Sequence, residues 1–425
     1  MSADGSLFGQ SADFRPRPAT GEAPFDLDEM FFSRTDLRGV IAAFNTIFLR
    51  VADYQPEDLL NAPHRLIRHP DMPKGVFWLL WQGLHRGGLV GAYVKNRARD
   101  GLHYWVFAVI QPIDGGYLSV RIKPSSSLFG AVQREYADLL RREKEEGLTP
   151  EQSGMALLER LRALGWRNYA CFEADCIAAE YQSRRAGLGE GPDADIEDLT
   201  GVLKNARSLR SEVSDLNARF AGANLLTINM QVIATKLREG RRTISEIAKN
   251  YGLMVSEIQT SLAAFNSVVQ DEDPFAASPE ARAVFRMTTA RLMAEAAARF
   301  RAEHCDLRGV CRDTEMALLD SRATWAATQS NRALDEVMQT VSDMRRNVDQ
   351  LRRLIIGLSI VRIACRVESG MLAVRSQGLE TIVARLDGLQ EEIGRILDEI
   401  DGSGQHAMDH LKRYRLRSDP LSHLY

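Results

Sequence analysis

Cationic, acidic and imidazole side chains occur together in residues 66–73, where the run that contains Arg68, His69 and Asp71 also contains Pro70 and Pro73. Because proline fixes its own φ angle and restrains the preceding residue, this stretch is predicted to form a shaped turn rather than ordinary helix. Such a turn suits an amphipathic ring cofactor with a charged tail. An ordinary loop whose polar groups satisfy one another has the same composition, so the residues alone leave both interpretations open.

Aromatic side chains follow the turn in a predicted helix over residues 74–86, which Gly87 and Gly88 end. The spacing of Phe77, Trp78 and Trp81 gathers their rings on one side of this helix. The result is an aromatic wall beside a stiff polar loop. A core-facing helix has the same pattern, and Trp81 fits either use.

The elements around the turn alternate in the α+β manner. Short helices are predicted at 45–52 and 56–60, and hairpin turns at Asp100-Gly101 and Asp114-Gly115-Gly116 separate the last three strands. The predicted strands are residues 30–33, 39–44, 89–96, 103–111 and 117–123. Together they make a five-stranded antiparallel sheet with short helices covering one face, over residues 29–124.

Several motifs of this segment resemble the sensor domain of bacterial aerotaxis receptors, which is a PAS domain. They are Phe32-Ser33-Arg34-Thr35-Asp36-Leu37, Phe44-Asn45, Asp53-Tyr54, Pro63-His64, Arg68-His69-Pro70-Asp71-Met72-Pro73, Trp81, Val94-Lys95-Asn96-Arg97, Asp100-Gly101, Tyr104-Trp105 and Ser119-Val120-Arg121. The resemblance implies a PAS fold and FAD held without covalent attachment.

With FAD present, the residues of the turn take definite roles. Arg68 and His69 supply the cations and donors that a pyrophosphate needs. Asp71 orients Arg68 or accepts a hydrogen bond from a ribose hydroxyl, and its alternative role is to cap the helix that follows Pro73. In the family, the matching turn residues are implicated in flavin binding.

Three further residues are candidates for contact with the flavin ring. Trp81 can pack on the isoalloxazine. Asn96, which the family also implicates in flavin binding, offers both a donor and an acceptor to the polar edge of the ring. Asn45 is the third candidate, and it is equally suited to cap the helix that it begins.

Other cofactors of such domains can be weighed from composition. Photoadduct formation requires a cysteine beside the flavin, and residues 29–124 contain none, so a light sensor of the cysteine-adduct type is excluded. Haem remains an alternative because His64, His69, His85 or His103 can supply an axial ligand.

The whole chain has 425 residues and a net charge of −3, which gives no general attraction to nucleic acid. Its five cysteines show no paired metal-binding spacing and indicate reduced thiols in the cytoplasm, with no metal site. Residues 1–28 are predicted to be a disordered tail. No apolar run reaches the length of about 20 residues that a bilayer requires, which predicts a soluble, cytoplasmic protein without membrane insertion.

The chain beyond residue 124 is predicted to be helical almost throughout, with a start at Thr149-Pro150 and breaks near Gly187 and Gly240. We expect a helical linker region over 125–190, a helical hairpin over 191–270, a bundle or coiled coil over 277–402 and a tail over 403–425. Apolar side chains at heptad spacing predict long packed helices, either in a bundle or in a coiled-coil dimer, and we expect a homodimer.

Residues 224–240 also resemble the hairpin tip of methyl-accepting chemotaxis proteins, which contacts a histidine kinase and its coupling protein. This chain departs from the family at Ile233, where glutamate is usual, and at Lys236, where arginine is usual. The resemblance implies chemoreceptor-like ancestry, and a plain helical dimerisation module is the alternative.

No catalytic signature is found, so the protein is not expected to be an enzyme. The overall expectation is a redox- or oxygen-linked signal transducer that senses through FAD in a PAS domain and relays to a helical output region, in the manner of aerotaxis or chemotaxis signalling. The alternative is a cofactor-free PAS-headed helical adaptor.

Overall fold

The computed structural model describes residues 16–236, 240–269, 275–303, 309–371 and 377–418, together with residues 273 and 307. The chain forms two compact units, each built from two segments. The first unit comprises Met1–Asp193 and Phe285–Ser330, and the second comprises Ala194–Val284 and Asn331–Tyr425. The sequence placed boundaries at residues 124 and 190, whereas here the sheet shares one unit with residues 125–193 and 285–330.

The first unit contains one five-stranded antiparallel sheet, as the sequence predicted. Its strands are β1 (Phe31–Asp36), β2 (Ile41–Phe44), β3 (Val90–Arg97), β4 (His103–Ile113) and β5 (Gly116–Ile122). Their order across the sheet is β2-β1-β5-β4-β3. Gly101 and Gly115 occupy the hairpin turns with φ angles of 94° and 79°, a backbone conformation that favours glycine.

Short helices fill the connection between β2 and β3. They are α1 (Thr46–Ala52), α2 (Pro56–Leu59), a 3₁₀ helix (His64–Ile67) and α3 (Lys74–His85). Asn45 caps α1, because its side chain accepts a hydrogen bond from the backbone N–H of Phe48. Residues 68–73 are not helical, which confirms the turn that the prolines predicted.

One face of the sheet is polar and lies toward these short helices. We call Ser33, Asn96, Tyr104, Ser119 and Arg121 the polar face. Asn96 pairs with Tyr104 across β3 and β4, and Ser119 pairs with Ser33 across β5 and β1. The same register places all five side chains on one side, because side chains alternate along a strand.

The opposite face is covered as well, so the prediction of a sheet covered on one face is wrong. Helices α4 (Ser127–Glu145), α5 (Pro150–Ala163), α6 (Tyr169–Gly187) and α9 (Pro279–Ala302) belong to this unit wholly or in part. Phe129 of α4 stacks on Tyr93, and Phe300 of α9 stacks on Phe32. These rings cover the second face, which the sequence prediction left uncovered.

The second unit is helical. It contains α7 (Ala194–Lys236), α8 (Arg241–Val269), the later part of α10 (Arg312–Met371), and α11 (Gln377–Ser418). The predicted break near Gly240 is confirmed, although residues 237–239 of the expected hairpin tip lie outside the described residues. Heptad positions such as Val213, Leu216, Val348 and Leu351 are buried in one shared core. In the described part of the chain no helix has the length and apolarity to cross a bilayer.

Candidate functional site

The turn at residues 68–73 is docked on the edge strand β3. Arg68 and Asn96 form an isolated antiparallel bridge, and the backbone N–H of His69 donates to the carbonyl of Lys95 over 3.3 Å. These contacts bring Arg68, His69 and Asn96 together, although Asn96 lies 27 positions after His69 in the sequence. The three residues therefore belong to one local site.

Arg68 stacks its guanidinium on the ring of Phe77, with 3.8 Å between the guanidinium carbon and the ring centroid. Burial lowers the pKa of this guanidinium, and a more distant attraction to Glu143 opposes the shift. Among the described residues no carboxylate forms an ion pair with Arg68. Its donors are therefore free for an anionic ligand, while Phe77 fixes the orientation of the planar group.

His69, Asp71 and Lys95 form a small charged cluster beside the turn. The backbone N–H of Asp71 donates to Nδ1 of His69 over 3.1 Å, and Nζ of Lys95 lies 3.3 Å from the Asp71 carboxylate. Burial and the charge of Lys95 lower the pKa of His69. Because Nδ1 accepts the hydrogen bond from Asp71, the neutral imidazole carries its proton on Nε2. Asp71 does not cap α3, whose first turn begins at Pro73 without a side-chain cap.

Three groups of the polar face are buried and have no hydrogen-bond partner among the residues that the structure describes. They are Nδ2 of Asn96, the hydroxyl of Tyr104 and the hydroxyl of Ser119. Asn96 is only 2% exposed. A buried polar group without a partner costs about 1–3 kcal/mol, so such groups are normally paired. Their presence on one face indicates a place for a ligand with a polar edge.

Arg121 adds a buried cation to this face. Its Nη1 donates to the Ser33 hydroxyl over 3.0 Å, and its Nη2 lies 2.8 Å from Nε2 of His64. Burial lowers the pKa of Arg121 to about 10. Because a guanidinium only donates, Nε2 of His64 must accept, so this imidazole is neutral. No described carboxylate forms an ion pair with Arg121, which leaves a buried positive charge facing the short helices.

His64 makes the stability of this site depend on pH. Burial and the charge of Arg121 lower its pKa in the folded protein to about 3, below the value of about 6.5 in the unfolded chain. The unfolded state therefore binds more protons below about pH 6.5, and stability that is present at neutral pH is lost as the pH falls. Because part of the His64 residue reaches solvent, we expect a loss of about 1 kcal/mol between about pH 7 and pH 5.

Urea unfolding of the full chain across that range measures this loss. The His64→Gln variant should show a shallower decline than the parent protein, whereas His85→Gln, at an exposed histidine, should follow the parent. Parallel declines in the parent and in His64→Gln would contradict the assignment.

The structure also locates Asn45 and Trp81. Every polar position of the Asn45 amide is used inside the protein. Its oxygen accepts from the backbone N–H groups of Phe32 and Phe48, and its nitrogen donates to the Met30 carbonyl and to Glu303. Asn45 therefore acts here as a cap, and its contact with a flavin remains a prediction.

Trp81 lies against the start of β5, at the opposite end of that strand from Arg121. Its ring meets Tyr117 edge to face, with centroids 5.4 Å apart, and it is tilted against His85. The residue is half-buried. Trp81 is thus placed beside the polar face through its ring contacts with Tyr117 and His85, and its contact with a flavin remains a prediction.

A cleft of about 550 Å³ opens at the surface beside the turn. It is lined by Pro63, Arg65, Leu66, Arg68, His69, Pro70 and Arg97. Three guanidinium groups and one imidazole therefore surround one opening, next to apolar side chains. The cleft shares Arg68 and His69 with the docked turn. Among the described residues no group of three or more His, Cys, Asp or Glu side chains is arranged to hold a metal ion.

Sequence reasoning missed several of these residues. Arg121 and Ser119 alternate along β5 with Leu118, Val120 and Ile122, which is a clear signal for a polar face. That signal is normally assigned to solvent, and only the covering helices show that both faces are buried. Arg65 and Arg97 had no signal beyond their proximity to the turn and to Asn96.

Comparison with known proteins agrees with this geometry. Residues 41–120 match the family model described as the PAS fold. A segment of 121 residues is 37% identical to the aerotaxis receptor of Escherichia coli (strain K12), covering 27% of this chain and 24% of that receptor. The chain therefore carries a PAS domain, and the match spans about a quarter of the receptor's length.

Solved structures of light-oxygen-voltage (LOV) domains are also similar to this chain. One is the light state of the blue-light photoreceptor Aureochrome1 LOV, which is 20% identical to this chain. The match covers 27% of this chain and 89% of that chain, with a TM-score of 0.21. Another is the LOV domain of the blue-light-activated histidine kinase of Erythrobacter litoralis EL346, with 14% identity, coverages of 22% and 90%, and a TM-score of 0.20.

Proposed function

We propose that this PAS-domain protein is a cytoplasmic redox- or oxygen-linked signal transducer that holds FAD without a covalent bond. The observation that carries the proposal is the buried, unpartnered Nδ2 of Asn96 beside the docked turn. A flavin ring presents alternating donors and acceptors along one edge, which an asparagine amide can match. The similarity to a protein named aerotaxis receptor supports the same assignment.

The residues divide the work of binding between the interior and the surface. Asn96, with Tyr104 and Ser119 on the same face, would pair with the polar ring. Arg68 and Nε2–H of His69 would donate to the phosphates, and Asp71 would accept from a ribose hydroxyl. When bound, the flavin supplies reversible electron transfer, which is the chemistry that a redox sensor needs.

The relay to the helical segments is supported by carboxylates that lie outside the PAS domain. Glu303, directly after α9, accepts from the backbone N–H and hydroxyl of Thr46 over 3.0 and 2.7 Å, and from Nδ2 of Asn45 over 2.8 Å. Glu315 of α10 forms a bidentate pair with Arg34 of β1. A shift of β1 would therefore displace the start of α10 through Glu315, and a shift of α1 would displace the end of α9 through Glu303.

The Glu303 contact leads to a testable expectation. In Glu303→Gln the amide cannot accept all three hydrogen bonds, so we expect the free energy of unfolding to fall by about 1–3 kcal/mol. Hydrogen exchange should become faster in α1 and α9, while the flavin stays bound. The difference in α9 exchange between the oxidised and reduced protein should shrink.

Glu295→Gln is the matched control for this experiment. Glu295 lies on α9 but pairs with Arg184, away from α1. It should leave the oxidised-to-reduced difference unchanged. An equal loss of that difference in both variants would argue against a relay through Glu303.

The partners of this transducer follow from the helical unit. We propose a homodimer, supported by an exposed apolar stripe on α10 formed by Ile356, Ile360, Ile363 and Val367, each 55–67% exposed. These residues recur at spacings of three and four and so share one helical face. Light scattering on the full chain measures the dimer directly.

A histidine kinase with its coupling protein is the proposed output partner, because residues 224–240 resemble the hairpin tip of methyl-accepting chemotaxis proteins.

An absorption spectrum of the purified full-length protein tests the central proposal. Flavin bands that are retained by the folded protein support it. A Soret band would instead assign the domain to haem and its histidines. A colourless protein that also fails to bind added FAD would overturn the sensor and favour the cofactor-free adaptor.

A further inference from the structure

We infer that the surface cleft binds the adenosine-monophosphate half of FAD, with Arg65 and Arg97 on its phosphate and Leu66 against its adenine. This inference rests on the proposed function, since it concerns the same ligand. It extends that proposal to two arginines that the turn motif does not include, and it makes the cleft selective for FAD over shorter flavins.

The charges of the cleft are unbalanced. Arg65 and Arg97 are exposed, and neither forms an ion pair with any described residue. Arg68, which is half-buried, likewise has no ion pair with a described residue. Arg99, two residues beyond Arg97, does pair with a carboxylate, Asp58, over 3.1 Å. Three unpaired guanidinium groups around one opening create a positive potential that a phosphate ester would neutralise.

The remaining lining of the cleft is apolar. Leu66 is 36% exposed and lines the cleft together with Pro63 and Pro70. Flat aromatic ligands pack against such side chains, and arginine planes add stacking contacts. A volume of about 550 Å³ lies within the range of small-molecule sites. Phosphate donors and an apolar wall in one cleft suit a nucleotide better than a simple anion.

The cleft and the interior site share two elements, the turn and the end of β3. Arg68 and His69 line the cleft and also belong to the turn that pairs with β3. Arg97 directly follows Asn96, whose side chain points to the interior while Arg97 reaches the surface. A ligand that bonds to Asn96 and leaves past Arg68 therefore enters the cleft. Riboflavin would end before this opening, whereas FAD would extend across it.

The affinities of the flavin-depleted full-length protein for FAD, FMN and riboflavin test the inference. We expect Arg65→Gln and Arg97→Gln each to weaken FAD binding by about tenfold, the effect of losing a hydrogen bond to a charged group. Riboflavin affinity should change by less than about twofold in either variant. Arg65→Lys, which keeps the charge, should recover part of the FAD affinity.

Arg99→Gln is the matched control, because it removes a nearby arginine that lies outside the cleft; it should leave all three affinities unchanged. Equal losses for FAD and riboflavin in Arg65→Gln and Arg97→Gln would overturn the inference while leaving the flavin proposal intact. Unchanged FAD binding in both variants would overturn it in the same way. A parent protein that binds none of the three flavins would overturn the proposed function and this inference together.

Discussion

Replacing Asn96 by leucine is expected to weaken flavin binding by about tenfold or more and to stabilise the flavin-free protein. The first effect arises because the ring edge loses its partner in a water-poor site. The second arises because Nδ2 of Asn96 is buried without a partner, at a cost of about 1–3 kcal/mol that leucine removes. If Asn96 served only the fold, its replacement would not both weaken flavin binding and raise the free energy of unfolding of the flavin-free protein.

Flavin titration and urea unfolding of the flavin-free Asn96→Leu protein measure the two effects. Asn45→Leu is the matched control, since Asn45 is also a buried asparagine of the same domain but has all its hydrogen bonds made. It should lower the free energy of unfolding by about 2 kcal/mol or more, as expected when several buried partners are left unpaired. If Asn96→Leu destabilises the flavin-free protein as Asn45→Leu does, Asn96 is structural.

Local signals in the sequence were sufficient for the PAS domain. The alternating strands, the two Gly-containing hairpin turns and the proline-containing turn were predicted, and the structure contains them, the last at residues 68–73. These features are decided by neighbouring residues, since proline and glycine act on their own φ angles. The predicted helix start at Thr149 and the predicted break near Gly240 are confirmed, and Thr149 forms a full capping box with Gln152.

Contacts between distant segments were not accessible from the sequence. More than 90 residues of the second unit, 194–284, lie in the sequence between the PAS domain and the segment that packs back on β1 and α1. That segment contributes Phe300, Glu303 and Glu315. No local pattern records which helix returns to the sheet. Sequence reasoning did not identify the polar face, because Ser119 and Arg121 alternate with apolar residues as on a solvent-facing side, whereas both are buried in the structure.

The candidate site was predicted in part. The turn residues Arg68 and His69 and the strand residue Asn96 are brought together through backbone pairing between the turn and β3. Asn45 could be assigned to a cap or a ligand from sequence, and the cap is what the structure contains. Arg121 was not predicted as a site residue, because the sequence of a strand does not show whether an arginine in it has a carboxylate partner.

Arg121→Met is expected to lower the midpoint potential of the bound flavin by about 30 mV. Reduction adds negative charge to the ring, and a buried cation on the same face of the sheet stabilises that charge. An interaction of about 1.4 kcal/mol corresponds to about 30 mV for a two-electron couple. The flavin-free fold should be equally stable or more stable, since methionine removes a buried charge that lacks a described carboxylate partner.

Redox titration of the flavin-loaded full-length protein measures this shift, and two further variants interpret it. Arg121→Lys keeps the positive charge and should hold the potential near that of the parent. Arg34→Met removes a β1 arginine that is balanced by Glu315 and lies on the opposite face, so it should leave the potential unchanged. An unchanged potential in Arg121→Met would mean that the charge of Arg121 does not reach the flavin. Its burial would then have to be explained by Ser33 and His64 alone.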